Sequence, residues 1–174
     1  MGNERAHDNV VGNDPTASGS LFARLKRSSY GAYLAELLRT HRLEGNVTFL
    51  GPLSEEQMRD RMLRSHVFVS ASTIENESNA LCEARLLGVP SVASFVGGVT
   101  SVLRHEQDGF AYQHDAPYML AHYVRELLDR PDLCLEFSTA SRAAARKLHD
   151  RRAIGDRQAE IYRTVLAGER GAAR

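Results

Sequence analysis

The chain has no surplus of either charge: Lys and Arg together number 22, and so do Asp and Glu. Without a positive excess it lacks what would hold a nucleic-acid backbone or an anionic membrane surface, so no nucleic-acid partner is expected. Cysteine is scarce too. Cys82 and Cys134 are the only two, each in a stretch of helical spacing, and neither belongs to a C-x-x-C or mixed Cys/His cluster. A reducing cytoplasm suits them. The seven histidines show no H-x3-H or H-E-x-x-H spacing, so neither a protein-held metal nor a cofactor is expected. No run of about 18 apolar residues occurs, and the opening MGNERAHDNVVGNDPTASGS carries charge where a secretion signal needs an apolar core. The expectation is a soluble cytoplasmic chain, with peripheral attachment at the inner membrane face as its variant. Internal repeats and low-complexity tracts are also lacking.

What is present is α/β patterning over 174 residues, 43% of them hydrophobic, enough for one domain of ordinary size. The opening is rich in Asn, Asp, Gly, Ser and Pro. Residues 1–27 are therefore expected to be mostly irregular or disordered, with only 9–14 (NVVGND) hinting at more. Tyr30, Tyr33, Leu34, Leu37 and Leu38 have helical spacing behind Ser29, a suitable cap, and predict a helix to about Arg42. Gly45-Asn46 turns the chain into a strand, Val47 to Leu50, and Ser54-Glu55-Glu56-Gln57 is a capping box for a helix ending near Arg64. Further on, the pattern predicts a short helix from Thr100 to Leu103, a strand from Phe110 to Tyr112, and helices opening at Pro117 and Pro131. A last helix places Ile154, Ile161, Tyr162, Val165 and Leu166 on one face before a tail at 169–174. Arg142, Arg146, Lys147, Arg151 and Arg152 form a basic cluster, but Asp150, Asp156 and Glu160 are interleaved with it, which reads as a solvated helix face. Strands alternating with helices predict a parallel sheet covered on both faces.

The middle of the chain, Val67 to Gly98, reads VFVSASTIENESNALCEARLLGVPSVASFVGG. It predicts strand, loop, helix, strand and loop, a βαβ unit whose two loops hold the candidate chemistry. Glu75 and Glu83 stand eight positions apart. On one helix they would lie roughly 80° and 12 Å apart, too far to share a proton or a metal. If the helix instead begins near Ser78 or Asn79, Glu75 is in the loop and Glu83 just over a turn inside, so one ligand could touch both. Between them the first N–H groups of the helix, at about Ala80 and Leu81, lack intrahelical acceptors and favour an anionic group such as a phosphate. The spacing alone also fits an ordinary acidic first turn, since Glu is favoured there by the helix dipole.

This stretch closely resembles the donor-sugar half of the GT-B glycosyltransferases, the large retaining group classed as family 4. The residues that carry the resemblance are Ser70 and Ser72, Glu75, Glu83-Ala84, Gly88-Val89-Pro90, Ser94 and Gly97-Gly98. Asn46 to Gly51 (NVTFLG) resembles the family's preceding strand, and Asp108-Gly109-Phe110 the turn into its last one. The resemblance covers roughly Ser28 to Leu166, and upstream of that it implies that residues 9–14 are the stub of a strand, the alternative being a mobile N-terminal tail. It implies a Rossmann-like, doubly wound parallel sheet at 28–168, the carboxyl-terminal GT-B domain, lacking its first strand or strands. It implies transfer of a sugar from a nucleoside-diphosphate sugar to a glycan or lipid-linked acceptor with retention. Glu83 would accept hydrogen bonds from the ribose hydroxyls and Glu75 would act as the catalytic carboxylate facing the sugar. Ser78, Asn79, Ala80 and Leu81 would offer N–H groups to the phosphates, and Gly97 and Gly98 would let the backbone approach the ligand.

Two departures qualify this. Relatives carry an acidic residue three positions after the Gly-Gly, where this chain has Ser101. The Arg and Lys that neutralise the leaving diphosphate in relatives belong to a loop that would lie upstream of Met1, and neither Lys26 nor Arg27 matches them by motif. The alternatives are a truncated non-catalytic binder or partner subunit, completed by an N-terminal GT-B half or by self-association, and a sugar-nucleotide epimerase of the same fold. With the central strand missing, Val47 to Leu50 would form no ladder with the strand at Val67, and Ile161, Tyr162 and Val165 would be exposed.

Overall fold

Short apolar runs bounded by Gly, Asn and Pro fold as strands of three or four residues, and the capped stretches between them fold as helices. The computed structural model describes residues 7–11 and 29–172, the side chains of residue 29 and of residues 168–172 excepted. Two compact units are formed, Met1–Met58 and Arg59–Arg174.

In the first unit β1 (Asp8–Val10) pairs in parallel with β2 (Val47–Phe49), in the register Asp8↔Val47 to Val10↔Phe49. The expected stub is thus a strand set slightly earlier; positions 12–14 lie outside the described residues. Helix α1 (Ser29–Thr40) closes through Arg42, at φ 55°, whose left-handed turn lets the Leu43 N–H reach the Leu38 carbonyl at 2.8 Å. Its predicted apolar face is only partly used. Leu34, Leu37 and Leu38 are half-buried, but Tyr30 and Tyr33 are 64% and 60% exposed. The capping box forms as predicted: the Ser54 N–H donates to Gln57 Oε1 at 2.9 Å and the Gln57 N–H to Ser54 Oγ at 3.3 Å, opening α2 (Glu55–Leu63).

The second unit carries a parallel sheet ordered β3 (Phe68–Ser70), β4 (Ser91–Ser94), β5 (Phe110–Tyr112). Successive residues of a strand face opposite sides, and β4 builds a core on each. Ala93 joins Leu81, Cys82, Val99, Val102 and Leu103 on one side, while Val92 joins Phe110, Tyr112, Leu127, Leu133 and Phe137 on the other. The helices supplying these residues are α3 (Asn79–Leu87) and α4 (Val99–Val102), then α5 (Pro117–Asp129) and α6 (Pro131–Leu148). Phe110 stacks on Tyr123 with centroids 4.3 Å apart and meets Phe137 edge-on at 5.0 Å.

Among the described residues the strands thus form one two-stranded and one three-stranded sheet, both parallel. Helix α7 (Arg151–Ala172) runs into the stretch expected to be a tail, although Gly168 and Gly171 there disfavour a helix. Its apolar face is open: Ile161, Tyr162 and Val165 are 53%, 60% and 54% exposed. None of the helices among the described residues is long and apolar enough to cross a membrane.

Candidate functional site

The loops that leave β3 and β4, residues 71–78 and 95–98, both lie beyond the carboxyl ends of parallel strands, where such sheets bind ligands. They are tied together. Ser94 Oγ donates to the Ser72 carbonyl at 2.6 Å, and the Gly98 N–H points to the Glu75 carbonyl at 3.4 Å. A Cβ on Gly97, which stands at φ 48°, would collide with the Glu75 carbonyl oxygen, and one on Gly98 with that of Asn76. The glycines were expected to admit a ligand. Their missing side chains make room first for the neighbouring loop, so Gly97-Gly98 sets where the Glu75 backbone lies. Glu75 is half-buried, and Ser72 Oγ lies 3.5 Å from its Oε2.

Helix α3 opens at Ser78, whose φ and ψ are extended and whose Oγ accepts from the Leu81 N–H at 3.3 Å. The Leu81 N–H, expected to face a phosphate, is thus engaged by the cap. The N–H three positions into a helix is the one the capping oxygen takes, and the Leu81 side chain is wholly buried in the core. Asn79 and Ala80 retain N–H groups without an intrahelical acceptor, at the positive end of the helix dipole. Glu83 is exposed, and no hydrogen bond or ion pair engages its carboxylate among the described residues. Ser101 is exposed on α4, its N–H bonded to the Gly98 carbonyl at 3.0 Å. Cys82 is buried beside Glu77; burial, reinforced by that carboxylate, pushes its thiol up. Among the described residues no three His, Cys, Asp or Glu side chains gather as a metal site. A shallow groove of about 620 Å³ runs along α7, lined by Ala153, Asp156, Arg157, Glu160 and Arg163; none of its lining residues comes from the two loops.

The supporting contacts of Arg85, Asp108 and Arg142 escaped the sequence reading. Arg85 is buried against Asp108, and Arg142 of α6, exposed like the rest of its basic cluster, also donates through Nη2 to the Leu87 carbonyl at 2.5 Å. That guanidinium lies where a Cβ of Gly88 would be, and Gly88, at φ 78°, closes α3 in the left-handed conformation. A signal for Arg85 existed. It falls four positions after Leu81, on the face that the helix must bury.

The profile of the glycosyl transferases group 1 matches residues 17–144 of this sequence. The chain belongs to that family. Among curated relatives, the phosphatidylinositol N-acetylglucosaminyltransferase gpi3 subunit of Schizosaccharomyces pombe is 30% identical, over 55% of this chain and 22% of its own length. D-inositol 3-phosphate glycosyltransferase 2 of Catenulispora acidiphila is 26% identical over 95% of this chain and 43% of its own. The chain thus spans less than half the length of these group 1 relatives. HepE of Anabaena, solved with UDP, superposes over 91% of this chain and 41% of its own with a TM-score of 0.76 at 22% identity. Sucrose-phosphate synthase of Thermosynechococcus elongatus does so over 92% and 38% with 0.73 at 24%. The fold is that of a GT-B carboxyl-terminal domain.

Proposed function

We propose that this chain is the donor-binding part of a retaining glycosyltransferase, holding a nucleoside-diphosphate sugar beyond β3 and β4 for transfer to a glycan or lipid-linked acceptor. The observation that carries the reading is the junction itself: Gly97-Gly98 packed on the Glu75-Asn76 backbone, beside a capped helix that presents open N–H groups and an unengaged Glu83. The N–H groups of Asn79 and Ala80 would bind the diphosphate and Ser78 would hold them in place by capping. Glu83 would take the ribose diol through both carboxylate oxygens. Glu75 would meet the sugar and stabilise positive charge as the bond to the diphosphate breaks. The reaction needs no cofactor on this reading, and a cytoplasmic setting, at the membrane face if the acceptor is lipid-linked, gives access to the donor.

The family relatives named for phosphatidylinositol or inositol phosphate acceptors support a transferase, and HepE solved with UDP supports a nucleotide-sugar ligand. Calorimetric titration with a panel of UDP- and GDP-linked sugars tests the reading. One donor is expected to bind, and Glu83→Ala to weaken it by about 2 kcal/mol, the scale of a hydrogen bond to a charged group, with an unchanged melting temperature. Equal binding by the variant would remove Glu83 from the site. In an assembled enzyme, Glu75→Gln is expected to lower kcat more than donor affinity. A second reading, a non-catalytic subunit completed by another GT-B half or by a second copy, is favoured by the open apolar face of α7, where Ile161, Tyr162 and Val165 are more than half exposed. Turnover by the purified chain alone would eliminate it.

A further inference from the structure

Helix α3 carries the proposed ligand groups on its outer side and, two positions after Glu83, one charged residue on its inner side. Arg85 is 1% exposed and its Nη2 lies 3.0 Å from Oδ2 of Asp108, which is 0% exposed. Asp108 also accepts from the Arg104 N–H at 2.8 Å through Oδ1 and from Arg104 Nε at 2.8 Å through Oδ2. The cluster is not built for stability. Two guanidinium groups share one carboxylate, Arg85 Nε is buried without a hydrogen-bond partner, and burial pulls the Arg85 guanidinium below the usual arginine range. Buried ion pairs are often no more stabilising than apolar residues of the same shape. An apolar residue at this position would simply extend the stripe begun by Leu81, and would let the helix roll or slide. An ion pair has direction.

That direction bears on the site. Asp108 lies in the turn before β5, at the amino ends of the parallel strands, whereas Ser78 and the two loops lie at their carboxyl ends. Residues two apart on a helix point about 200° from one another, so fixing Arg85 inward fixes Glu83 outward. We propose that Arg85 is a positioning residue: its pairing with Asp108 sets the rotation of α3, and with it the direction in which Glu83 and the Asn79 and Ala80 N–H groups meet a nucleoside-diphosphate sugar. This rests on the donor-binding reading above.

The test is a double variant, R85M/D108N, in the full chain; Met keeps the volume and Asn keeps an acceptor for the Arg104 N–H. Its melting temperature is expected to match or exceed that of the parent, while its affinity for the best donor of the UDP- and GDP-sugar panel falls at least fivefold. Adding Glu83→Ala separates positioning from mere folding. In the parent that substitution should weaken binding at least tenfold, but in the double variant less than threefold, because Glu83 is already misdirected. If the double variant binds as the parent does, or if Glu83→Ala has the same effect in both, the proposal is overturned. Should the double variant fail to fold, R85K decides: one donor in place of the fork should give intermediate affinity at an unchanged melting temperature, and parental affinity would refute the idea. A parent that binds no donor in the panel overturns the donor reading itself, and this proposal with it.

Discussion

Helices α3 and α7 belong to the same unit and have opposite relations to it. Helix α3 has nine residues, four of them buried, and it is held at its start by Ser78, on its inner face by Asp108, and at its end by Arg142 and the left-handed Gly88. Helix α7 has 22 residues, and of its described side chains all but the half-buried Ala159 are exposed. Length is therefore no guide to how firmly a helix is placed. Most helical stability in a protein comes from the packing of one face, and only α3 has a face that is packed. The difference follows function on the proposed reading, because α3 must aim groups at a ligand and α7 presents an apolar side that nothing in its own unit covers.

The largest effect should come from the glycines against which α3's loop is seated. In Gly97→Ala the new Cβ meets the Glu75 carbonyl oxygen, a backbone atom that cannot swing aside, and the residue must also hold φ near 48°. We expect a loss of about 3 kcal/mol in urea unfolding, the upper range for overpacking, together with loss of donor binding. A variant as stable as the parent would show that the two loops do not touch as described, and would leave α3 no better placed than α7.

How much of this could be read from the residues depends on whether the cause is local. The Ser78 cap and the Ser54 capping box were legible, because each is a contract between residues three positions apart. The strand positions came out within one or two residues, because Gly-Val-Pro and Gly-Gly mark their limits. At Leu81 two local rules compete for one N–H, the Ser78 cap and an anionic ligand, and in the structure the cap holds it. The helix over Tyr30 to Leu38 was legible too, but periodicity says which side of a helix could be buried, not that it is, and Tyr30 and Tyr33 stay exposed. The packing of Gly97 and Gly98 on Glu75 and Asn76, and the reach of Arg142 across 55 positions to Leu87, are contacts between distant parts of the chain. No spacing rule contains them.

A middle-sized effect sharpens the comparison at the other end of α3. Gly88→Ala forces a side chain into the left-handed region, at about 1 kcal/mol, and drives out the Arg142 guanidinium, whose bond to Leu87 is worth about 1 kcal/mol more. The two terms can be separated. In an Arg142→Ala background the guanidinium is already absent, so Gly88→Ala should lower stability by only about 1 kcal/mol. An undiminished loss in that background would mean that Arg142 does not hold the helix end, and that α3 is anchored at fewer points than the structure shows.

The smallest effect belongs to α7. Ile161→Ser and Val165→Ser each remove an aliphatic side chain, a change that in a core typically lowers stability by 2 kcal/mol or more, roughly in line with the area uncovered. Both residues are more than half exposed, so little area is lost. Serine also lowers helix propensity only slightly. Unfolding free energies within about 0.5 kcal/mol of the parent are therefore expected for each, measured at a protein concentration low enough that sedimentation shows a monomer. A loss of 2 kcal/mol in the monomer would mean that this face is covered within the chain, and the contrast between a placed helix and an unplaced one would disappear.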